Sequence, residues 1–301
     1  MKYKIIAAFL VFTMVLSSVA YFIGGNTNSN GEPTQTIEKE TTNISTTSFR
    51  DLGGRLVRHE FDSIGDALEI TPPKVKYAQY IDVDAISDTP MYFWINQKLN
   101  DTIGANLTMI NQLYGSNTTK MYLSILDNKS VVLFNTIYPE VVAFDYVVGL
   151  PYKGYLMLLR NNGMYNVMGT PVIYSTKENA MKIIDFISGY ERNPNFDILL
   201  DNVSSAEYQE VIVNPGFAEQ LYLGIKIGYN ETSFNNTYER VTVYVNATPA
   251  ILSNLNRLKQ NSYGRGFIEY NITTEQINAI NVTKMTIVSP DFQLVANERY
   301  Y

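Results

Sequence analysis

Residues 5–25 contain no charged side chain, and Lys2 and Lys4 stand just ahead of them. Twenty-one residues at about 1.5 Å each reach roughly 30 Å, the thickness of a bilayer hydrocarbon core. A run of this kind usually stays out of a water-soluble core, which leaves the globular fold to the chain beyond it. Two readings compete. A cleaved secretory signal would use Ser18-Val19-Ala20 as its small-x-small site. A retained membrane anchor fits the length better, because Tyr21, Phe22 and Ile23 carry the apolar run past that site. In either case the lysines stay inside and the remainder is exported. A buried core helix is the third reading, and its flanks are wrong for one. With no cysteine, lipid attachment at a cysteine is excluded.

Residues 26–48 are rich in Thr, Asn and Ser and lack apolar periodicity, as a flexible polar stalk would. Asn-x-Ser/Thr sequons then recur along the chain. They begin at Asn43, Asn100, Asn106, Asn117, Asn128, Asn202, Asn230, Asn235, Asn246, Asn271 and Asn281. Random placement of the same residues would give about four, so the excess points to a glycosylated exterior face. The competing reading is an Asn/Thr-rich chain whose sequons are accidental.

The chain has 301 residues, 46% hydrophobic and only 17% charged, with a formal net charge of −6. That composition supports a packed core and one or two domains. There is no basic excess to draw in phosphate backbones, so nucleic acid is not an expected partner. Zero cysteine removes disulfides, thiolate chemistry and Cys-ligated metals, and a single histidine removes His-rich metal sites.

A Lys-flanked anchor, a Thr/Asn stalk, many sequons, 23 tyrosines and no cysteine together resemble archaeal surface proteins. The run Pro72-Pro73-Lys74-Val75-Lys76-Tyr77-Ala78-Gln79-Tyr80-Ile81-Asp82 and the later Thr-Pro segments are similar to uncharacterised membrane-anchored or secreted archaeal proteins, over most of residues 50–295. The resemblance implies a surface location and brings no activity or site. It departs from archaeal pilins, which are cut after a basic residue plus Gly, whereas here Lys4 meets Ile5 directly.

From Phe49 the composition turns globular. Period-two and β-branched runs predict strands over 77–83, 121–126, 131–134, 141–148, 155–160, 164–168, 198–200, 208–213, 221–229, 238–245, 267–272 and 285–288. Clean alternation over 238–245 predicts one wet face. Helices are expected from Thr89-Pro90 to about residue 113, near 177–187 after Thr170-Pro171, from Thr248-Pro249 to about 260, and over 274–280. The three Thr-Pro starts suggest repeated strand–helix–strand units. The expected class is α+β: mostly antiparallel sheets with a few helices on one face, with ferredoxin-like units as the architectural guess. The expected organisation is anchor or signal (1–25), stalk (26–48), a first α+β unit (49–140) and a second (141–301), with one continuous domain over 49–301 as the alternative.

No nucleophile-elbow, P-loop, zincin or dinucleotide-binding fingerprint occurs. His59, between Arg58 and Glu60, lacks the second His of a zincin, and a surface ion-pair role suits it. Asp82, Asp84 and Asp88 form the best acidic cluster, which could hold a hard cation such as Ca or Mn through oxygen. The same residues serve equally as turn and N-cap chemistry. A carboxylate pair of Asp82 with Glu69 for glycoside cleavage needs distances. Tyr263-Gly264-Arg265-Gly266 reads as a phosphate nest or, more simply, a helix C-cap and turn. Tyr92, Phe93 and Trp94 read as a carbohydrate platform or, more simply, as core.

The expected function is therefore a non-catalytic, membrane-anchored extracellular glycoprotein acting in surface binding or as an envelope component, without a cofactor. Its expected partners are the membrane, through the N-terminal helix, and other envelope proteins or glycans. The alternatives are a metal-assisted surface hydrolase acting on glycans or peptides, and an accessory subunit or sensor domain of an envelope complex. Cleavage of the N-terminus would make the chain secreted.

Overall fold

The computed structural model describes residues 46–189, 194–230 and 235–300. The expected anchor or signal helix, the stalk to residue 45 and the Asn43 sequon lie outside the described residues. Among the described residues no helix is long and apolar enough to cross a membrane.

β1 (Thr47–Ser48) and β2 (Val57–Arg58) lead to α1 (Ile64–Ile70) and β3 (Val75–Asp82). Three helices follow, α2 (Val83–Ile86), α3 (Pro90–Ile103) and α4 (Leu107–Tyr114). Next come β4 (Asn117–Leu126), β5 (Val131–Tyr138), β6 (Val141–Val142), β7 (Val148–Tyr152), β8 (Tyr155–Leu159), β9 (Tyr165–Val167), β10 (Gly169–Thr170) and β11 (Val172–Ser175). After α5 (Lys177–Gly189) and α6 (Asp197–Leu200) come β12 (Tyr208–Val213), β13 (Gln220–Asn230) and β14 (Asn235–Val245). The described chain closes with α7 (Pro249–Gln260), β15 (Glu269–Ile277), β16 (Ile280–Ser289) and α8 (Phe292–Asn297).

Twelve strands form one sheet in the order β15-β16-β14-β13-β12-β3-β4-β5-β11-β9-β8-β7, and the pairs within it are antiparallel. The protein is α+β. β12 pairs with β3 and β11 with β5, so strands on either side of residue 140 share this sheet.

The helices cover both faces of the sheet, not one. Period-two alternation sends Ile81 to one apolar cluster, and Ala78 and Tyr80 to the other. The first cluster lies under α3, α4, α7 and α8, through Ile95, Leu99, Ile110, Leu255 and Val295. The second lies under α1, α5 and α6, through Ile64, Leu68, Ile183, Ile184 and Leu199. β14 consequently has no wet face. Val243 faces one cluster, while Tyr244 and the polar-looking Arg240 and Thr242 are buried under the C-terminal segment or beside it.

The ferredoxin-like arrangement occurs once. β14 and β15 flank α7 and run parallel with β16 between them, a split strand–helix–strand unit. β3 and β4, which also flank helices, are direct antiparallel neighbours, so the unit is not repeated there. The reason is an extra helix. The predicted 90–113 helix breaks at Gly104, which adopts φ 67° and caps α3, and Asn106 then caps α4 by accepting from the Met109 N–H at 2.9 Å.

Thr89-Pro90 and Thr248-Pro249 do start helices. Thr170-Pro171 does not: it lies between β10 and β11, and α5 begins at Lys177. Residues 197–200 are helical, not extended, and 274–277 belong to β15, whose turn into β16 uses Asn278 and Ala279 at positive φ.

Candidate functional site

A groove of about 940 Å³ opens between the first described segment, α1 and the end of α5. Its position follows from how residues 47–59 are laid down. β1 pairs with β6, Arg55 donates its N–H to the Gly154 carbonyl at 2.7 Å, and β2 runs parallel to β10. The approach of β2 to β10 requires Gly169. It sits at φ 145°, and a Cβ there would run into the Val57 backbone.

Residues 50–60 bring Arg50, Arg55, Arg58 and His59 to the groove as its basic wall, with Glu60 beside them, and α1 brings Asp66 and Glu69. Ile70, Tyr155, Phe186 and Ile187 supply the apolar lining. The Arg55 guanidinium lies 5.4 Å from the Tyr155 ring centre, a cation–π distance. α1 is fixed at its start by Ser63, whose hydroxyl accepts from Asp66 N–H at 3.2 Å, and by Asp66 itself, whose carboxylate accepts from Asp62 N–H at 2.8 Å.

His59 is half-buried and its Nε2 lies 2.9 Å from the Asp66 carbonyl. A carbonyl only accepts, so Nε2 carries the proton. The partner is main chain, not the carboxylate expected of a surface ion pair. Arginines and carboxylates lining one partly apolar groove can hold a ligand that presents both carboxylates and hydrogen-bond donors. The sequence reading did not single out these arginines. Its available signal was three arginines within nine residues just after the stalk.

The Asp82 carboxylate accepts the Ala85 N–H at 3.1 Å and caps α2, its ordinary role after a strand. Asp84 and Asp88 are exposed. Partial burial and then the charge of Asp82 raise the Asp84 carboxyl above the usual aspartate range. Among the described residues no group of three or more His, Asp or Glu is placed to hold a metal ion. Glu69 lines the groove and Asp82 caps α2, so each has a separate setting.

Arg265 is engaged by Glu298 in a bidentate ion pair, and Gly266 caps the short turn before β15. That is the turn reading of 263–266, not the phosphate nest. Trp94 packs edge-on against Tyr208 and Phe292 at 5.0 and 5.9 Å, while Phe93 is 78% exposed. The trio therefore does not form one platform.

Side-chain exposure is described for eight sequon asparagines. Asn100, Asn117, Asn128, Asn271 and Asn281 are exposed, and Asn106, Asn202 and Asn246 are half-buried. Among the described residues the buried asparagines, Asn135, Asn166 and Asn179, all lie outside sequons. Asn230 and Asn235 are register partners at the ends of β13 and β14. Two further grooves are lined by sequons themselves, one by Asn202 and Ser204 and one by Asn117 and Thr119. The arginine-walled groove contains no sequon residue.

A family model, the AF_2048_N family N-terminal domain, matches residues 60–188 of the chain. The match runs from Glu60, which lines the groove, through nearly all of α5. No curated protein and no solved structure matches the chain.

Proposed function

We propose that the chain is a non-catalytic, membrane-anchored extracellular glycoprotein of archaeal type that acts in surface binding, with the arginine-walled groove as its binding surface. The observation that carries the reading is the sequon pattern: none of the eight described sequon asparagines is buried, and the three buried asparagines avoid sequons. A glycan needs an exposed asparagine, and a chain under that requirement keeps its buried asparagines elsewhere.

The same pattern leaves the groove clear. Sugars on Asn202 and Asn117 would occupy the two grooves those residues line, whereas the groove between α1 and the 47–59 segment stays open. Its ligand presents carboxylates to Arg50 and Arg58, and hydroxyl or amine donors to Glu60 and Asp66.

Intact mass, N-terminal sequencing and glycopeptide mapping of the protein from its native membrane fraction test the reading. A chain beginning near Met1 with added sugar mass is the expected result. An unmodified chain in the cytosol overturns it.

A further inference from the structure

Asn117 and Tyr138 are directly opposite each other where β4 begins and β5 ends. Residues so paired across antiparallel strands project to the same face, with Cβ atoms about 5 Å apart. Asn117 is exposed, and Tyr138 is 72% exposed, so an aromatic ring lies in water beside a sequon. The two residues line one groove of about 660 Å³ together with Thr119, Thr136, Asp84 and Glu140. Thr119 completes the sequon. The pairing register shifts at this residue, and its hydroxyl lies 2.6 Å from that of Thr136, which fixes the sequon's third position.

Two other described strand sequons lack this arrangement: Asn271 is paired with Thr286, and Asn281 with Gln276.

We propose that Asn117 carries an N-linked glycan whose first sugar lies across the Tyr138 ring, with Asp84 and Glu140 accepting hydrogen bonds from its hydroxyls. The inference rests on the glycoprotein reading and adds a built seat for one particular glycan. The C–H face of a pyranose is apolar and slightly positive, and it matches the negative face of a phenol ring. Attachment uses an oligosaccharide carried on a polyisoprenoid phosphate. The Asn117 amide nitrogen bonds to the anomeric carbon as the bond from that carbon to the phosphate oxygen breaks. The lipid phosphate leaves with the electron pair, and the proton given up by the amide passes to solvent. The consequence is a glycan that is part of the folded surface at the end of the β4–β5 hairpin.

The test is glycopeptide mapping of the full chain from its own membranes, with melting curves of wild type, Asn117→Gln, Tyr138→Ala and the double variant. The expected result is occupancy at Asn117 and a loss of about 2–4 °C in each single variant, with no further loss in the double. In chain produced without glycosylation, Tyr138→Ala should leave the melting temperature unchanged. Occupied sequons elsewhere with Asn117 bare would overturn this inference alone. Bare asparagines at every sequon would overturn the glycoprotein reading with it. An occupied Asn117 whose variants show additive losses would overturn the stacking.

Discussion

Arg265 forks onto the Glu298 carboxylate, with Nη1 2.6 Å from one oxygen and Nη2 2.9 Å from the other. Tyr270 donates its hydroxyl to the same carboxylate at 2.9 Å, and the Glu298 side chain is 5% exposed. The main chain beside it is held as well. Buried Arg240 donates from Nη1 to the carbonyls of Val295 and Glu298 at 2.8 and 2.9 Å, and Tyr244 donates to the Tyr300 carbonyl at 2.8 Å. The segment carrying α8 is thus tied to β14, and through Arg265 and Tyr270 to β15 and the turn before it.

Removing the fork should be costly. Arg265→Ala leaves a buried carboxylate with its tyrosine donor and without its bidentate partner, so we expect a loss of about 3 kcal/mol in urea unfolding. Glu298→Gln keeps a hydrogen-bonding group in place and should cost less. Equal losses in the two variants would mean that the charge is immaterial.

Lys98 on α3 reaches Glu210 on β12, which also accepts from the Tyr208 hydroxyl at 2.8 Å. The ammonium lies 5.1 Å from the Trp94 ring centre and 5.3 Å from that of Tyr208. Lys98→Met should destabilise by about 3 kcal/mol, because Glu210 is left charged and buried. Adding Glu210→Gln should restore part of that loss, a coupling read directly from a double-mutant cycle.

Gly169→Ala should loosen the basic wall of the groove while the central sheet stays folded. The new Cβ cannot fit against Val57, and the backbone at φ 145° disfavours any side chain. Faster limited proteolysis within residues 50–59, with circular dichroism preserved, is the expected outcome.

Asp185 on α5 pairs with Lys153 at 2.7 Å and accepts from the Tyr152 hydroxyl at 2.9 Å. The Lys153 hydrogen bond holds its carboxyl below the ordinary value of 3.8. A depressed carboxyl stabilises fully above its unfolded value, and the gain is lost as pH falls through the folded value. Asp185→Asn should therefore be less stable than wild type at neutral pH, by under about 1 kcal/mol because the pair is half-exposed. Paired melts should show the difference fading below about pH 4. A gap that persists in acid would rule out the charge as its source.

The sequence was most readable where local chemistry decided the structure. β12 and α7 lie where alternation and Thr248-Pro249 placed them. It was least readable where distant packing overrode pattern. Arg240 makes β14 look half-wet, yet the carbonyls of Val295 and Glu298 receive it in the interior. Thr170-Pro171 looks like a helix start, yet the chain there pairs with residues more than a hundred positions earlier. The groove was hidden for the same reason, since no local signal brings Arg55 beside Gly154 or places Phe186 and His59 on one groove. Asp82 showed the opposite difficulty: one local pattern served for both a cap and a ligand, and its bond to Ala85 N–H is the cap.

β1 and β2 hold the first described segment to the rest through ladders of two residues each, whereas the central strands share ladders of up to eleven. A pull applied at the N-terminal end of this segment would load those short ladders first, and they would peel before the sheet sheared. The arginines on the segment would then leave Asp66 and Glu69 of α1, and the groove would come apart while the rest of the fold held. A ligand spanning the segment and α1 would act as a clamp against that tension, so occupancy and mechanical load would oppose each other at this one place.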